Sequence, residues 1–289
     1  DGRRVLVDCG MFQGSRTLEG LNAGAFGFNP AKVDAVVLTH AHIDHSGLLP
    51  RLVAEGFTGK IWCTQPTADL LEYMLADAGR IQEADVARRN RRRDRAGEEE
   101  FQPLYTEADA LAAWDQCEAV ALEEWFEPAP GFRARLWNAG HILGSASAEL
   151  EAGGARVLVS GDLGPDNKAF HADPESPSGF DFVLCESTYG DRAREPITIE
   201  QRRKLLHAEI RGALTRGGNL VIPTFALERT QELLLDIAEL VRTGALPDVP
   251  VFIDSPLAHN ATHVFERHAA ELEDVHPDCT FKCPNFHFT

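Results

Sequence analysis

Three imidazoles and a carboxylate occur within six residues, His40-Ala41-His42-Ile43-Asp44-His45, directly behind the apolar run Val33–Leu38. The run reads as a buried strand, so these polar groups leave one strand end together. Left without a cation, they would repel one another or sit unsatisfied. Divalent metal ions gather such groups, and neutral imidazole with carboxylate is the preferred non-thiolate ligand set of zinc. Two further candidates stand at strand ends. His141 lies in Gly140-His141-Ile142-Leu143-Gly144-Ser145-Ala146, behind the run Ala134–Trp137. Asp162 lies in Ser160-Gly161-Asp162-Leu163-Gly164, behind Arg156–Val159. In each case a strand delivers the ligand and glycines let the backbone turn tightly around a small ion.

The elements that must position these residues are short apolar runs alternating with helical patterns. Val5–Val7, Ala35–Leu38, Ile61–Cys63, Ala134–Trp137, Val157–Val159 and Phe182–Cys185 read as strands. Helices are expected over Gly47–Glu55, behind the histidine cluster, and over Pro66–Arg80, where Leu70, Leu71, Met74 and Leu75 share a side. Residues 81–130 are polar and read as helical excursions. From Thr198 an α/β alternation follows: helix Thr198–Arg216, strand Asn219–Ile222, helix Leu227–Arg242, strand Val251–Ile253 and a helix from about Leu257. A domain boundary is expected at Arg194-Glu195-Pro196, dividing the chain into 1–194 and 195–289.

A net charge of −17 argues against unspecific adhesion to nucleic acid. It leaves room for a metal-lined cleft, since ions supply the positive charge that phosphates seek. Six cysteines (9, 63, 117, 185, 279 and 283) are scattered without a dense framework, which points to a reducing compartment. Cys279 and Cys283 lack a second thiol pair to complete a zinc knot. The chain shows neither a signal peptide nor an 18-residue apolar run, so the expectation is a cytoplasmic protein without a membrane partner. An opening of Asp-Gly-Arg without Met leaves a lost leader open.

Taken in order, Asp8 in Asp-Cys-Gly, then His40, His42, Asp44, His45, His141 and Asp162 resemble the motifs of the metallo-β-lactamase fold. The resemblance covers about residues 1–192. It implies an αββα sandwich with a two-zinc site at one edge. His40, His42 and His141 would hold one ion, Asp44 and His45 the other, with Asp162 bridging. Asp8 would orient a ligand loop by hydrogen bonds rather than bind metal.

Cys185–Arg192, with Glu186, and Val221–Leu233 narrow this to a resemblance to the β-CASP nucleases that process nucleic acids, including ribonuclease J and the polyadenylation endonuclease subunit. Residues from about 195 onward then look like the start of the inserted α/β cap domain. Both ends of the sandwich look incomplete, and two later family histidines would lie past residue 289. His259, His263, His268, His276 and His287 read as surface or structural histidines.

The function implied is zinc-dependent hydrolysis of RNA, single-stranded RNA foremost, by water activated between two ions. Asp44 and Glu186 are the catalytic candidates: Asp44 to accept the water's proton, Glu186 to orient a metal-bound group or the later acid histidine. Two alternatives stand beside it: a thioester, lactone or β-lactam hydrolase of the same fold, and a non-catalytic RNA-binding relative. DNA as substrate, endo- against exonuclease action and a homodimer stay open. Ser145, Gly144 and Arg229 could meet a phosphate or simply cap and pair. The stretch Arg88, Arg89, Arg91, Arg92, Arg93 and Arg95 reads as a solvated helix face before an RNA contact, given Glu98-Glu99-Glu100 beside it.

Overall fold

A computed structural model of the chain describes residues 2–93, 100–193, 197–273, 281 and 283–289. The chain divides into two compact units. The first comprises 1–163 and 174–186, the second 164–173 and 187–289. The division thus follows Glu186, and the expected boundary at 194–196 lies outside the described residues.

In the first unit, strands β1 (Val5–Val7), β2 (Ala35–Val37), β3 (Lys60–Cys63) and β4 (Cys117–Ala119) form a parallel sheet in that order. Parallel strands are covered on both faces and so read as unbroken apolar runs. Ala35, Val36 and Val37 have no solvent exposure. Connecting helices are α1 (Arg16–Leu21), α2 (Ile43–Ser46), α3 (Leu49–Ala54), α4 (Gln65–Arg93) and α5 (Glu107–Trp114). Helix α5 packs on both α3 and α4, and α4 runs against β4, burying Leu70, Leu71 and Leu75. Thr106 caps α5 in a reciprocal box with Asp109, satisfying two end donors.

A second sheet holds β5 (Phe132–Asn138), β6 (Ala146–Ala152), β7 (Ala155–Val159) and β8 (Phe182–Leu184). Its first three strands are antiparallel and β8 joins β7 in parallel. The two sheets face each other: Val37 of β2 packs with Ala134 and Leu136 of β5 and Ala146 and Ala148 of β6. Facing alanines leave room for this close sheet contact. Strand β6 goes unannounced by Ala-Ser-Ala-Glu-Leu-Glu-Ala, a sequence of low strand propensity. Its Glu149 is fully buried, with Oε2 accepting from Arg135 Nη2 at 2.9 Å and Trp137 Nε1 at 2.8 Å, and Oε1 from Arg156 Nη2 at 2.6 Å. A paired buried carboxylate thus occupies a position where propensity expects an apolar residue.

The second unit contains α6 (Ile199–Arg216), α7 (Arg229–Arg242), β9 (Val251–Ile253), α8 (Pro256–Arg267) and β10 (Phe286–Phe288), with β9 and β10 paired in parallel. Helix α6 starts at a Thr198–Gln201 capping box. Its Arg202 and Arg203 each place Nε 2.7 Å from the Asp236 carboxylate of α7. Residues 219–222, expected as a strand, form none. No described strand pairs with them, and Val221 stays 82% exposed, so an apolar run alone does not make a ladder.

Of the Arg-rich stretch, Arg88, Arg89 and Arg91 lie exposed on α4 and Arg88 pairs with Asp85; Arg95, Glu98 and Glu99 fall outside the described residues. Among the described residues, no helix is long and apolar enough to cross a membrane.

Candidate metal centre

Strand β2 ends at Val37, and Thr39 and His40 follow it into the cluster. The segment after β1 zips onto this loop. Cys9 N donates to His45 O at 2.7 Å, Met11 N to Ile43 O at 3.0 Å, and Leu48 N to Cys9 O at 2.8 Å. Gly10 makes that approach possible, because a Cβ there would lie 1.5 Å from the Asp44 carbonyl oxygen. Ala146 N, at the start of β6, donates to Thr39 O at 2.8 Å and ties the second sheet to the same point. Gly161, at φ +56°, sits so close to Thr39 that a Cβ would fall 2.8 Å from the Thr39 Cβ. The chain before Asp162 is thereby drawn against the loop before His40.

His141 stands in the turn between β5 and β6. Ser145 Oγ accepts from His141 N at 2.9 Å and Ile142 N at 3.1 Å, and the Gly144 carbonyl accepts from Thr64 Oγ1 at 2.7 Å and Thr67 Oγ1 at 2.9 Å. Ser145 is buried and braces the turn, so of the two readings open for it the structure selects the internal one. Arg229 likewise pairs with Glu232 of its own helix.

Four side chains meet. One donor atom each from His40, His42, His141 and Asp162 lies within 4.8 Å of all the others. His40 Nε2 is 3.1 Å from His42 Nδ1, and His141 Nε2 is 3.2 Å from the same atom. Asp162 Oδ2 is 3.5 Å from His141 Nε2 and 3.9 Å from His40 Nε2. Nitrogens on a zinc tetrahedron with bonds of 2.0–2.1 Å stand about 3.3 Å apart, so the imidazoles already sit near the edges of such a polyhedron. Three imidazoles with one carboxylate fit a borderline divalent ion.

His45 lies beside this group, with Nε2 3.2 Å from Asp162 Oδ1. Asp44, in the first turn of α2, is exposed and falls outside the four-donor group.

Protonation follows from the neighbours. Burial drives the His40 imidazole well below its ordinary range, and the adjacent His45, His42 and His141 push the same way. A neutral ring with a lone pair results. For His45 burial works against protonation, but hydrogen bonds to Asp162 and Asp8 and their charges outweigh it, raising the pKa to about 10. The Asp162 carboxyl is held below its usual range by the His45 hydrogen bond, against the opposing effect of burial.

Asp8, at φ +59°, sets the tautomers. Its Oδ1 accepts from Thr39 N at 2.8 Å, and its Oδ2 accepts from Thr39 Oγ1 at 2.9 Å and His45 Nδ1 at 2.7 Å. The single Thr39 hydroxyl proton is then committed to Asp8. His40 Nδ1, 3.1 Å from Thr39 Oγ1, must therefore be the donor in that contact, which bares Nε2 toward the cluster.

Glu186 follows β8. Its N–H donates to Ser160 Oγ at 2.9 Å and its Oε1 accepts from Leu163 N at 2.9 Å, so its side chain holds the residue next to Asp162. The Thr39 link between Asp8 and His40 is a contact the sequence reading missed; a hydroxyl directly before the first histidine is the signal that could have found it.

The sequence model of the metallo-beta-lactamase superfamily matches residues 1–241, and that of the Beta-Casp domain matches residues 230–289. The chain belongs to the metallo-beta-lactamase superfamily. The second match gives residues 230–289 the sequence pattern of a Beta-Casp domain, in agreement with the resemblance read from the motifs.

Among curated relatives, "Ribonuclease TTHA0252" of Thermus thermophilus is 37% identical over 268 residues, covering 92% of this chain and 56% of that protein. The "RNase J-like protein" of Methanocaldococcus jannaschii is 34% identical, covering 91% and 55%. "Endoribonuclease YSH1" of Candida albicans is 32% identical over 250 residues, covering 86% and 28%. The chain spans about half the length of the first two relatives.

Proposed function

We propose that the protein carrying this chain is a zinc-dependent ribonuclease that hydrolyses RNA phosphodiester bonds. The observation that carries the reading is the convergence of His40, His42, His141 and Asp162 to within 4.8 Å. Relatives named as ribonucleases favour RNA over the thioesters and lactones of the alternative reading. They also favour an enzyme over a non-catalytic RNA-binding protein.

In this proposal His40, His42, His141 and Asp162 hold one ion. Asp44 and His45 hold a second with Asp162 shared, a set supported by the 3.2 Å approach of His45 to Asp162. When bound, such ions make a coordinated water acidic and offset charge on the phosphate. Asp44, exposed to solvent, takes the proton of the attacking water. Asp8 holds the His45 ring directly and the His40 ring through Thr39, with Nε2 of each facing the cluster and that of His40 presented as a lone pair. Glu186 is a positioning residue, fixing the Asp162 loop through Leu163 N. A cytoplasmic location suits an RNA substrate.

The test is cleavage of a linear and a circular single-stranded RNA by the purified protein, with metal content measured in parallel. The expected result is cleavage of both RNAs, loss of cleavage on chelation, and loss of both cleavage and bound zinc in His42→Ala and Asp162→Ala. Undiminished cleavage by either variant, or hydrolysis of a lactone with RNA untouched, would overturn the proposal. The circular substrate separates internal cutting, the mode named for the Candida albicans relative, from attack at an end.

A further inference from the structure

The chain leaves the first unit after Leu163 and re-enters it at Pro174, so Gly164–Asp173 form an arm that belongs to the second unit. Both feet of the arm adjoin loops of the candidate metal centre. The outgoing foot begins two residues behind Asp162. The returning foot docks through Glu175, whose N–H donates to Asn138 O at 2.9 Å and whose Oε2 accepts from Asn138 N at 2.7 Å. Asn138 Oδ1 in turn accepts from Gly140 N at 3.0 Å, at the start of the turn that carries His141.

The tip of the arm is buried. Ala169 and Phe170 are nearly without exposure, and the Phe170 ring meets Phe265 of α8 edge-on with centroids 5.9 Å apart. Lys168 Nζ and His171 Nε2 each lie 2.7 Å from Glu228 Oε1. Glu228 stands ahead of α7 at φ +69° and ψ −63°, the centre of a three-residue turn closed by Arg229 N donating to Leu227 O at 2.9 Å. That conformation is rare and strained for a residue with a Cβ. Among the described residues, the hydrogen-bond and ion-pair partners of the Glu228 carboxylate all lie on the arm, and its Oε2 is buried without a hydrogen-bond partner. Burial alone would raise the Glu228 pKa, but the His171 hydrogen bond and the Lys168 charge hold it below the ordinary value, so the clamp is ionic. A buried charge on a strained backbone persists only where its surroundings over-determine it.

We propose that Glu228 is a positioning residue for the metal centre, acting through Lys168 and His171 on the arm whose feet adjoin Asp162 and the His141 turn. The inference rests on the metal-centre reading above. An anchored tip restricts the paths open to both feet, which keeps Asp162 and His141 in the arrangement that gathers the four donors. Coupling of this kind is reciprocal: an ion that fixes the feet favours the anchored tip by the same factor. A clamp that served only to fold the second unit would leave the affinity for the ion unchanged.

Glu228→Gln keeps the shape and an acceptor but removes the charge. In the whole protein, chelator competition measures its zinc affinity and amide hydrogen exchange reports the arm. The expected result is zinc binding about tenfold weaker than in wild type, with RNA cleavage lost at limiting zinc and restored by excess zinc. In wild type, zinc should slow exchange at the amides of residues 168–171, and far less in the variant. Zinc bound equally by wild type and a folded Glu228→Gln overturns this inference alone, whereas a wild type that binds no zinc overturns the metal-centre reading and this inference with it. Where the variant fails to fold, wild-type exchange decides: protection of 168–171 by zinc supports the coupling, and amides indifferent to zinc overturn it.

Discussion

Asp8→Asn isolates the tautomer argument, because asparagine keeps the shape of the side chain and tolerates the left-handed backbone that Asp8 adopts. Thr39 N–H requires an acceptor at Oδ1, so the new amide NH₂ must occupy the place of Oδ2. There it meets Thr39 Oγ1 and His45 Nδ1, both of which now donate to Asp8. Donor would face donor at both contacts. The Thr39 hydroxyl proton is then released toward His40 Nδ1, and His45 Nδ1 becomes an acceptor. The His40 ring shifts its proton to Nε2, and the His45 ring, cationic in the metal-free protein, gives up its Nδ1 proton and keeps the one on Nε2; in both rings Nε2 is the atom that points into the cluster. Loss of such outer hydrogen bonds weakens metal binding roughly 10–100-fold, which is about 1.4–2.7 kcal/mol. Competition with a chromophoric chelator measures the affinity, and ¹⁵N chemical shifts of the imidazoles report the tautomers in the metal-free protein. A zinc affinity within twofold of wild type, with unchanged imidazole shifts, would refute the reasoning.

The remaining predictions concern folding. Gly10→Ala places a methyl 1.5 Å from the Asp44 carbonyl oxygen, so the contact between the β1 and β2 loops must open. We expect a loss of about 3 kcal/mol or more in urea denaturation, beyond the usual cost of overpacking. Gly20→Ala, in α1 with open space around it, should be neutral or gain up to about 1 kcal/mol. Glu149→Ala removes the acceptor shared by Arg135, Trp137 and Arg156, although Arg156 keeps Glu151, and should cost about 1.5–3 kcal/mol. The Glu149 contribution also depends on pH. Burial alone would raise its pKa, but hydrogen bonds from Arg156, Trp137 and Arg135 hold it below the ordinary value. Its stabilisation is therefore complete above about pH 4.3 and lost as pH falls toward the folded-state value. The stability difference between wild type and Glu149→Ala should shrink on acidification below that point; a constant difference would contradict the assignment.

The legible parts of the chain are those where one physical requirement dominates. Strand β2 announces itself because burial on both faces demands a continuous apolar run, and the donor residues follow directly at its end; β1 and β3 show as shorter apolar runs. Strand β6 escapes notice because its stability comes from partners on β5 and β7: the Glu149 carboxylate is tolerable only where Arg135, Trp137 and Arg156 converge. No local pattern in Ala146–Ala152 carries that information. Residues 219–222 show the reverse error, apolar enough for a strand but with no described ladder to join. Helix α4 runs to Arg93, past the expected end at Arg80, because its last turns are charged and present no apolar stripe to count.

The candidate centre divides along the same line. Residue types name the donors, but only the packing of β2 against β5 and β6 brings His141 within 3.2 Å of His42 across 99 positions of sequence. A donor cluster within one loop can be recognised from sequence alone, whereas a site assembled across elements becomes visible only when the fold supplies the distances.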